Sequence, residues 1–200
     1  MAEVTIVSYG AGNVASVQFA LERLGATVRL TDDPEAVAEA ERIILPGVGA
    51  AGYAMQRLSE LKLIAPIHAF PRPLLGVCLG QQLLFERSEE GDGVDLLGFI
   101  PGAVTRLKPA DALPVPHMGW SRLMRDRDDP LLEGVADGAY AYFVHGFVCP
   151  GGPATIARAD YGGSVPAVVR SANRWGCQFH PERSAEAGAT ILENFLGLPC

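Results

Sequence analysis

Short apolar runs alternate with amphipathic stretches through the first half of the chain. Residues 3–8 form a β-branched run that ends in the turn Gly10-Ala11-Gly12-Asn13, where Asn13 can cap a helix. Apolar residues then recur at Val14, Val17, Leu21 and Leu24, the helical period, until Gly25. Residues 27–30 predict a second strand, and Asp33-Pro34 read as the N-cap and first turn of a short helix. Residues 42–45 predict a third strand running into Pro46-Gly47-Val48-Gly49, and residues 52–61 a helix, with another before Pro71. Residues 74–77 predict a fourth strand that stops at Cys78, and residues 79–86 a helix after it. Strands this short and this uniformly apolar, alternating with helices, imply a parallel sheet covered on both faces.

After Gly91 turn residues become dense and the runs shorten, at 104–107, 140–144, 154–159, 165–170 and 175–179. That spacing predicts antiparallel strands. A closing helix over 185–196 turns Ile191, Leu192, Phe195 and Leu196 inward. The expected fold is therefore α/β in three layers: a mostly parallel central sheet flanked by helices, with a β-rich antiparallel extension in the C-terminal half. Without repeats or a low-complexity linker, residues 1–200 read as a single domain.

Composition narrows the classes of function. The chain has 16 basic against 23 acidic residues, a net charge of −7, so no basic stripe exists to neutralise phosphates or an anionic membrane surface. No apolar run approaches the roughly 20 residues that span a bilayer, and the acidic start Met1-Ala2-Glu3 does not resemble a signal peptide. The cysteines at 78, 149, 177 and 200 stand singly, without a C-x-x-C pair for zinc or thioredoxin chemistry. No metal or cofactor is expected, and free thiols suit a reducing cytoplasm.

Chemistry enters at Gly76-Val77-Cys78-Leu79-Gly80. A strand arrives, a helix leaves, and glycines stand two residues either side of the cysteine, the layout of a nucleophile elbow. Such a turn projects its side chain from the carboxyl edge of the sheet, where open α/β sheets bind ligands. It also sets the thiol at a helix N-terminus, which favours the thiolate. A lone cysteine is more often a core residue; the flanking glycines separate this one from that class.

A thiol nucleophile needs a base close in space. Among His68, His117, His145 and His180, the best placed is His180, which ends an apolar strand, with Pro181 stopping further pairing and Glu182 two residues on to orient the ring; His117 and His145 sit in β-rich surroundings as structural or substrate-adjacent groups. Without the elbow, His180 reads equally well as structural; with it, Cys78, His180 and Glu182 read as a triad. An oxyanion would be met by the Leu79 N–H and by a second donor from the loop Gly47-Val48-Gly49, although that loop is equally readable as a tight turn needing positive φ.

Taken together, Cys78 within its glycines, Gln82, the 46–49 loop and Gln178-Phe179-His180-Pro181-Glu182 resemble the class I, or triad, glutamine amidotransferases, in order over essentially the whole chain. Tyr9 to Asn13, Pro116-His117-Met118-Gly119-Trp120 and Tyr142-Phe143-Val144-His145 narrow the likeness to the glutaminase subunits of imidazole glycerol phosphate synthases. The resemblance implies a glutaminase with L-glutamine as substrate and a Cys78 thioester as intermediate. Its ammonia would pass to a (β/α)₈ cyclase subunit in a heterodimer of histidine biosynthesis. It implies substrate contacts from Gln82, Gly49, Tyr142 and His145, a switch in the 46–49 loop, and Asn13, Trp120 and Arg183 facing the cyclase. Gln81, Ser121, Gly146-Phe147 and Arg183 depart from the residues common in relatives. The same chemistry would also serve another synthase, such as anthranilate or pyridoxal phosphate synthase, and an elbow cysteine occurs in thiol peptidase-like α/β proteins.

Overall fold

The structure, a computed structural model, describes residues 2–10, 14–110 and 113–200; the helix-capping and partner-facing roles expected of Asn13 lie outside them. The first half runs β1 (Glu3–Val7), α1 (Val14–Arg23), β2 (Thr27–Thr31), α2 (Pro34–Glu39), β3 (Ile43–Leu45), α3 (Ala51–Glu60), α4 (Ile64–Ala69), β4 (Leu74–Val77) and α5 (Leu79–Leu83). Asp33 caps α2 as its sequence suggests, accepting from the Glu35 N–H with Pro34 at the first position. Then follow β5 (Phe85–Ser88), β6 (Val94–Asp95), β7 (Ile100–Arg106), β8 (His117–Arg122), β9 (Met124–Arg125), β10 (Tyr140–His145), β11 (Phe147–Val148), β12 (Thr155–Asp160), β13 (Ser164–Ser171), β14 (Arg174–Cys177) and α6 (Ala185–Gly197).

Eight strands form the main sheet in the order β2-β1-β3-β4-β14-β13-β12-β9. Pairing is parallel from β2 through β14 and antiparallel beyond it, so the α/β fold with an antiparallel C-terminal extension is the one observed. β2, at the sheet edge, is largely exposed and carries Arg29, but the apolarity of β1, β3 and β4 has a direct cause. Val4, Ile6, Ile44 and Leu75 face a core built with α1 and α6. Val7, Ile43, Leu45 and Leu74 face a second core, built with α2 to α5. Both pleat faces are dry, so no polar alternation survives.

Three details differ from expectation. The helix after Cys78 ends at Leu83 rather than residue 86, because Phe85 and Ser88 turn inward and β5 pairs with β6 and β7 in a second sheet. The strand at 174–177 returns parallel to β4, although its other neighbour, β13, is antiparallel. And β8, which pairs with β10 as a separate two-stranded ribbon, has no apolar run to announce it. Among the described residues, no helix is long and apolar enough to cross a membrane.

Candidate active site

Three loops leave the same edge of the sheet from neighbouring strands. β3 runs into Pro46; β4 and β14 are register partners, Val77 beside Cys177, and run into Cys78 and toward His180. The topology, not sequence proximity, sets the thiol and the imidazole side by side.

Cys78 sits at φ 54°, ψ −107°, a left-handed backbone that a non-glycine residue adopts only under constraint. Its N–H donates to the Cys177 carbonyl at 2.7 Å, while its own carbonyl accepts from Gln81 and Gln82 to start α5. The flanking glycines are required by close approach: a Cβ on Gly76 would collide with the Gly80 carbonyl, and one on Gly80 with the carbonyl oxygen of Leu45. At five residues α5 is short, so it carries less of the dipole that the sequence suggested would favour a thiolate.

His180 emerges beyond β14, its N–H donating to the Tyr142 carbonyl at 2.9 Å. Nδ1 lies 2.8 Å from Oε1 of Glu182, whose side chain is only 1% exposed. A carboxylate accepts, so Nδ1 carries hydrogen and Nε2 is the nitrogen left for Cys78. Burial pushes this imidazole down, but hydrogen bonding and charge from Cys78 and Glu182 outweigh it and hold the pKa up at about 10. A group so raised keeps its proton below that value and loses it above. Glu182→Gln removes the anion that favours the imidazolium, so the alkaline limb of glutamine hydrolysis is expected to move to lower pH. A pH–rate profile of both forms checks the direction; an unmoved limb would mean that Glu182 does not set the base.

Cys78 and His180 open on one cavity of about 310 Å³, with Val48, Gly49, Gln82 and His145 also in its walls. Gln82 donates to the Phe147 carbonyl at 3.2 Å and to Gln178 at 3.1 Å; Gln178 in turn directs its amide at the Cys78 sulfur, 3.9 Å away. Sequence reasoning gave Gln178 no role. The signal was its place two residues before His180, directly past the end of β14. Tyr142, expected at the substrate, is not in the cavity wall: its carbonyl holds His180, its N–H donates to Ser184, and its ring meets Trp120. The Leu79 N–H, expected to be a free oxyanion donor, is engaged by the Gly47 carbonyl at 3.3 Å. Next to that contact Val48 is exposed and Gly49 sits at φ +100°, while the buried Tyr9 hydroxyl donates to the Pro46 carbonyl behind it. Trp120 is 51% exposed and Arg183 is also at the surface. Among the described residues, no group of His, Cys, Asp and Glu could hold a metal ion.

An elbow cysteine facing a carboxylate-oriented histidine across a small cavity defines a thiol acyl-transfer site on an α/β sheet. The family model of class-I glutamine amidotransferases matches residues 5–197, and the chain belongs to that family. It is 52% identical over 196 residues to the imidazole glycerol phosphate synthase subunit HisH of Xanthomonas campestris pv. campestris (strain 8004), covering 98% of each chain. It is 53% identical to the subunit of the same name from Xylella fastidiosa (strain Temecula1), again covering 98% of both. Among solved structures it resembles a glutamine amidotransferase with a TM-score of 0.75 at 20% identity, covering 98% of this chain and 99% of the other. PurLQS from Thermotoga maritima gives a TM-score of 0.73 at 22% identity, with the same coverage. These last two likenesses bear on the fold.

Proposed function

We propose that this chain is the glutaminase subunit of an imidazole glycerol phosphate synthase, acting as one catalytic domain over residues 1–200 in a reducing cytoplasm. The observation that carries the reading is the opening of the Cys78 elbow and of His180, held by Glu182, on a single cavity, in a chain 52% identical to a relative of that name. The Cys78 sulfur attacks the side-chain amide carbon of L-glutamine. His180 gives its proton to the leaving nitrogen, so ammonia departs and a thioester remains. Water, deprotonated by His180, then hydrolyses the thioester to glutamate and frees the thiol. Gln82, His145 and Gly49 hold the substrate, and Tyr142 supports them from behind.

The oxyanion needs donors that the resting loop withholds, since Gly47 occupies the Leu79 N–H. Rotation of the peptide joining Gly47 and Val48 would release Leu79 and turn the Val48 N–H inward, supplying two donors at once. Exposed Val48 and the positive φ of Gly49 favour a hinge there, with Pro46 pinned by Tyr9 as the fixed end. The partner is a (β/α)₈ cyclase, docked over Trp120, Arg183 and Asn13. Support comes from β8, whose outward residues Met118 and Trp120 are apolar and 63% and 51% exposed. Ammonia would react there with the nucleotide intermediate PRFAR to give imidazole glycerol phosphate and AICAR.

The test is glutamate release from glutamine by the chain alone and with such a cyclase and its nucleotide ligand. Strong stimulation in the full mixture alone is expected. Hydrolysis indifferent to that cyclase would redirect the assignment to another synthase.

A further inference from the structure

Behind the cavity wall lies a run of hydrogen bonds whose directions are fixed from one end. The Phe147 carbonyl can only accept, so His145 Nδ1, 2.8 Å away, bears the hydrogen. Burial pushes His145 down to about 4, so the ring is neutral near pH 7 and Nε2 is bare. That bare nitrogen lies 3.0 Å from Nδ1 of His117, which must therefore donate. Burial, helped by His145, also pushes His117 down to about 4, so its Nε2 is bare as well and accepts from the Ser121 hydroxyl at 3.0 Å. Which nitrogen of a neutral histidine keeps its hydrogen is set by the bonds the two nitrogens make; both rings here are held with hydrogen on Nδ1. His117 cannot turn away: it is 1% exposed and stacked between Phe143 at 4.8 Å and Tyr161 at 3.9 Å, both nearly parallel to it.

The inner end of the run meets the cavity. The Phe147 carbonyl that accepts from His145 also accepts from Gln82, which is bonded to Gln178 beneath Cys78. We infer that Ser121 and His117 are positioning residues of the glutamine site: their hydrogen bonds hold His145 with hydrogen on Nδ1, and so fix the Phe147 carbonyl and Gln82. The inference rests on the glutaminase reading above. Neither residue touches the cavity. Without the Ser121 hydroxyl nothing donates to His117 Nε2, which is then free to carry the hydrogen itself; Nδ1 of His117 has none to give, and His145 keeps a bond to His117 only by moving its own hydrogen to Nε2 and giving up Phe147.

The experiment is ¹⁵N NMR of the histidine-labelled chain at pH 7, together with steady-state kinetics of the complex with the cyclase. The parent should show His117 and His145 as neutral Nδ1–H rings, and Ser121→Ala should convert both to Nε2–H. One buried hydrogen bond lost at the wall should raise KM for glutamine about tenfold with kcat little changed, and Ser121→Thr should restore the parent value. An Nε2–H ring in the parent overturns the inference. So does an unchanged KM in Ser121→Ala when the parent hydrolyses glutamine. A parent that hydrolyses none overturns the functional reading instead, while the spectrum still decides the tautomers.

Discussion

Cys78→Ser is expected to abolish glutamine hydrolysis, with a loss on the order of 10³-fold or more, while synthesis from free ammonia by the complex with the cyclase continues. The reason is chemical rather than structural. Serine nearly preserves the volume of a side chain that is only 6% exposed and keeps the elbow, its N–H still bonded to Cys177. But an alcohol gives up its proton far less readily than a thiol, and a site built for sulfur does not supply the difference. Ammonia added from solution bypasses the lost step. Glutamate release and ammonia-dependent turnover, measured on one preparation, separate the two. Retained glutaminase would remove Cys78 from the mechanism, and joint loss of both activities would point to a damaged fold or interface.

His180→Ala should slow glutamine hydrolysis by a factor on the order of 10²–10⁴, the usual contribution of general acid–base chemistry, because it removes the imidazole that Glu182 orients beside Cys78. It should also weaken the fold. Glu182 is 1% exposed at its side chain, its Oε2 has no partner among the described residues, and removing His180 takes the partner of Oε1. An unpaired buried carboxylate costs about 3 kcal/mol. Thermal unfolding of the parent and the variant reads this directly. His180→Asn, whose amide nitrogen takes the place of Nδ1 and can still donate to Glu182, should recover much of the stability and none of the rate. Near-normal turnover in either variant would mean that another base acts.

The sequence exposed the first half of the fold because β1, β3 and β4 are dry on both faces, and past Glu3 only Thr5 interrupts their apolar runs. It hid β8 because that strand is inverted. Its inward residues are His117 and Ser121, and its outward ones Met118 and Trp120, the opposite of a strand over a hydrophobic core. The misjudged end of α5 has a similar cause: Leu79, Leu83 and Leu84 satisfy a helical period, and only pairing with β6 and β7 makes a strand of Phe85 to Ser88.

At the site, Cys78 was legible from its glycines, and His180 with Glu182 from a strand end followed by proline; Cys78 and His180 line one cavity, with Glu182 bonded to His180 behind its wall. What could not be read are relations between separate loops. The hold of Gly47 on the Leu79 N–H, the stacking of His117 and the approach of Gln178 to the sulfur each depend on which strands are neighbours. No local pattern encodes that. Tyr142 shows the reverse limit, a motif residue whose backbone holds His180 while its ring lies off the cavity.

The most direct test is reaction of the chain, bound to the cyclase and its ligand, with a chloroketone analogue of glutamine, the modified peptide being located by mass spectrometry. Cys149 and Cys177 are fully buried thiols pushed up by that burial, the first to about 12, while Cys200 is exposed. Modification at Cys78 alone, suppressed by added glutamine, is the outcome to expect from an activated thiol in a glutamine site. Modification that follows exposure, with Cys200 taking the label and glutamine giving no protection, would refute the assignment of Cys78 as the nucleophile.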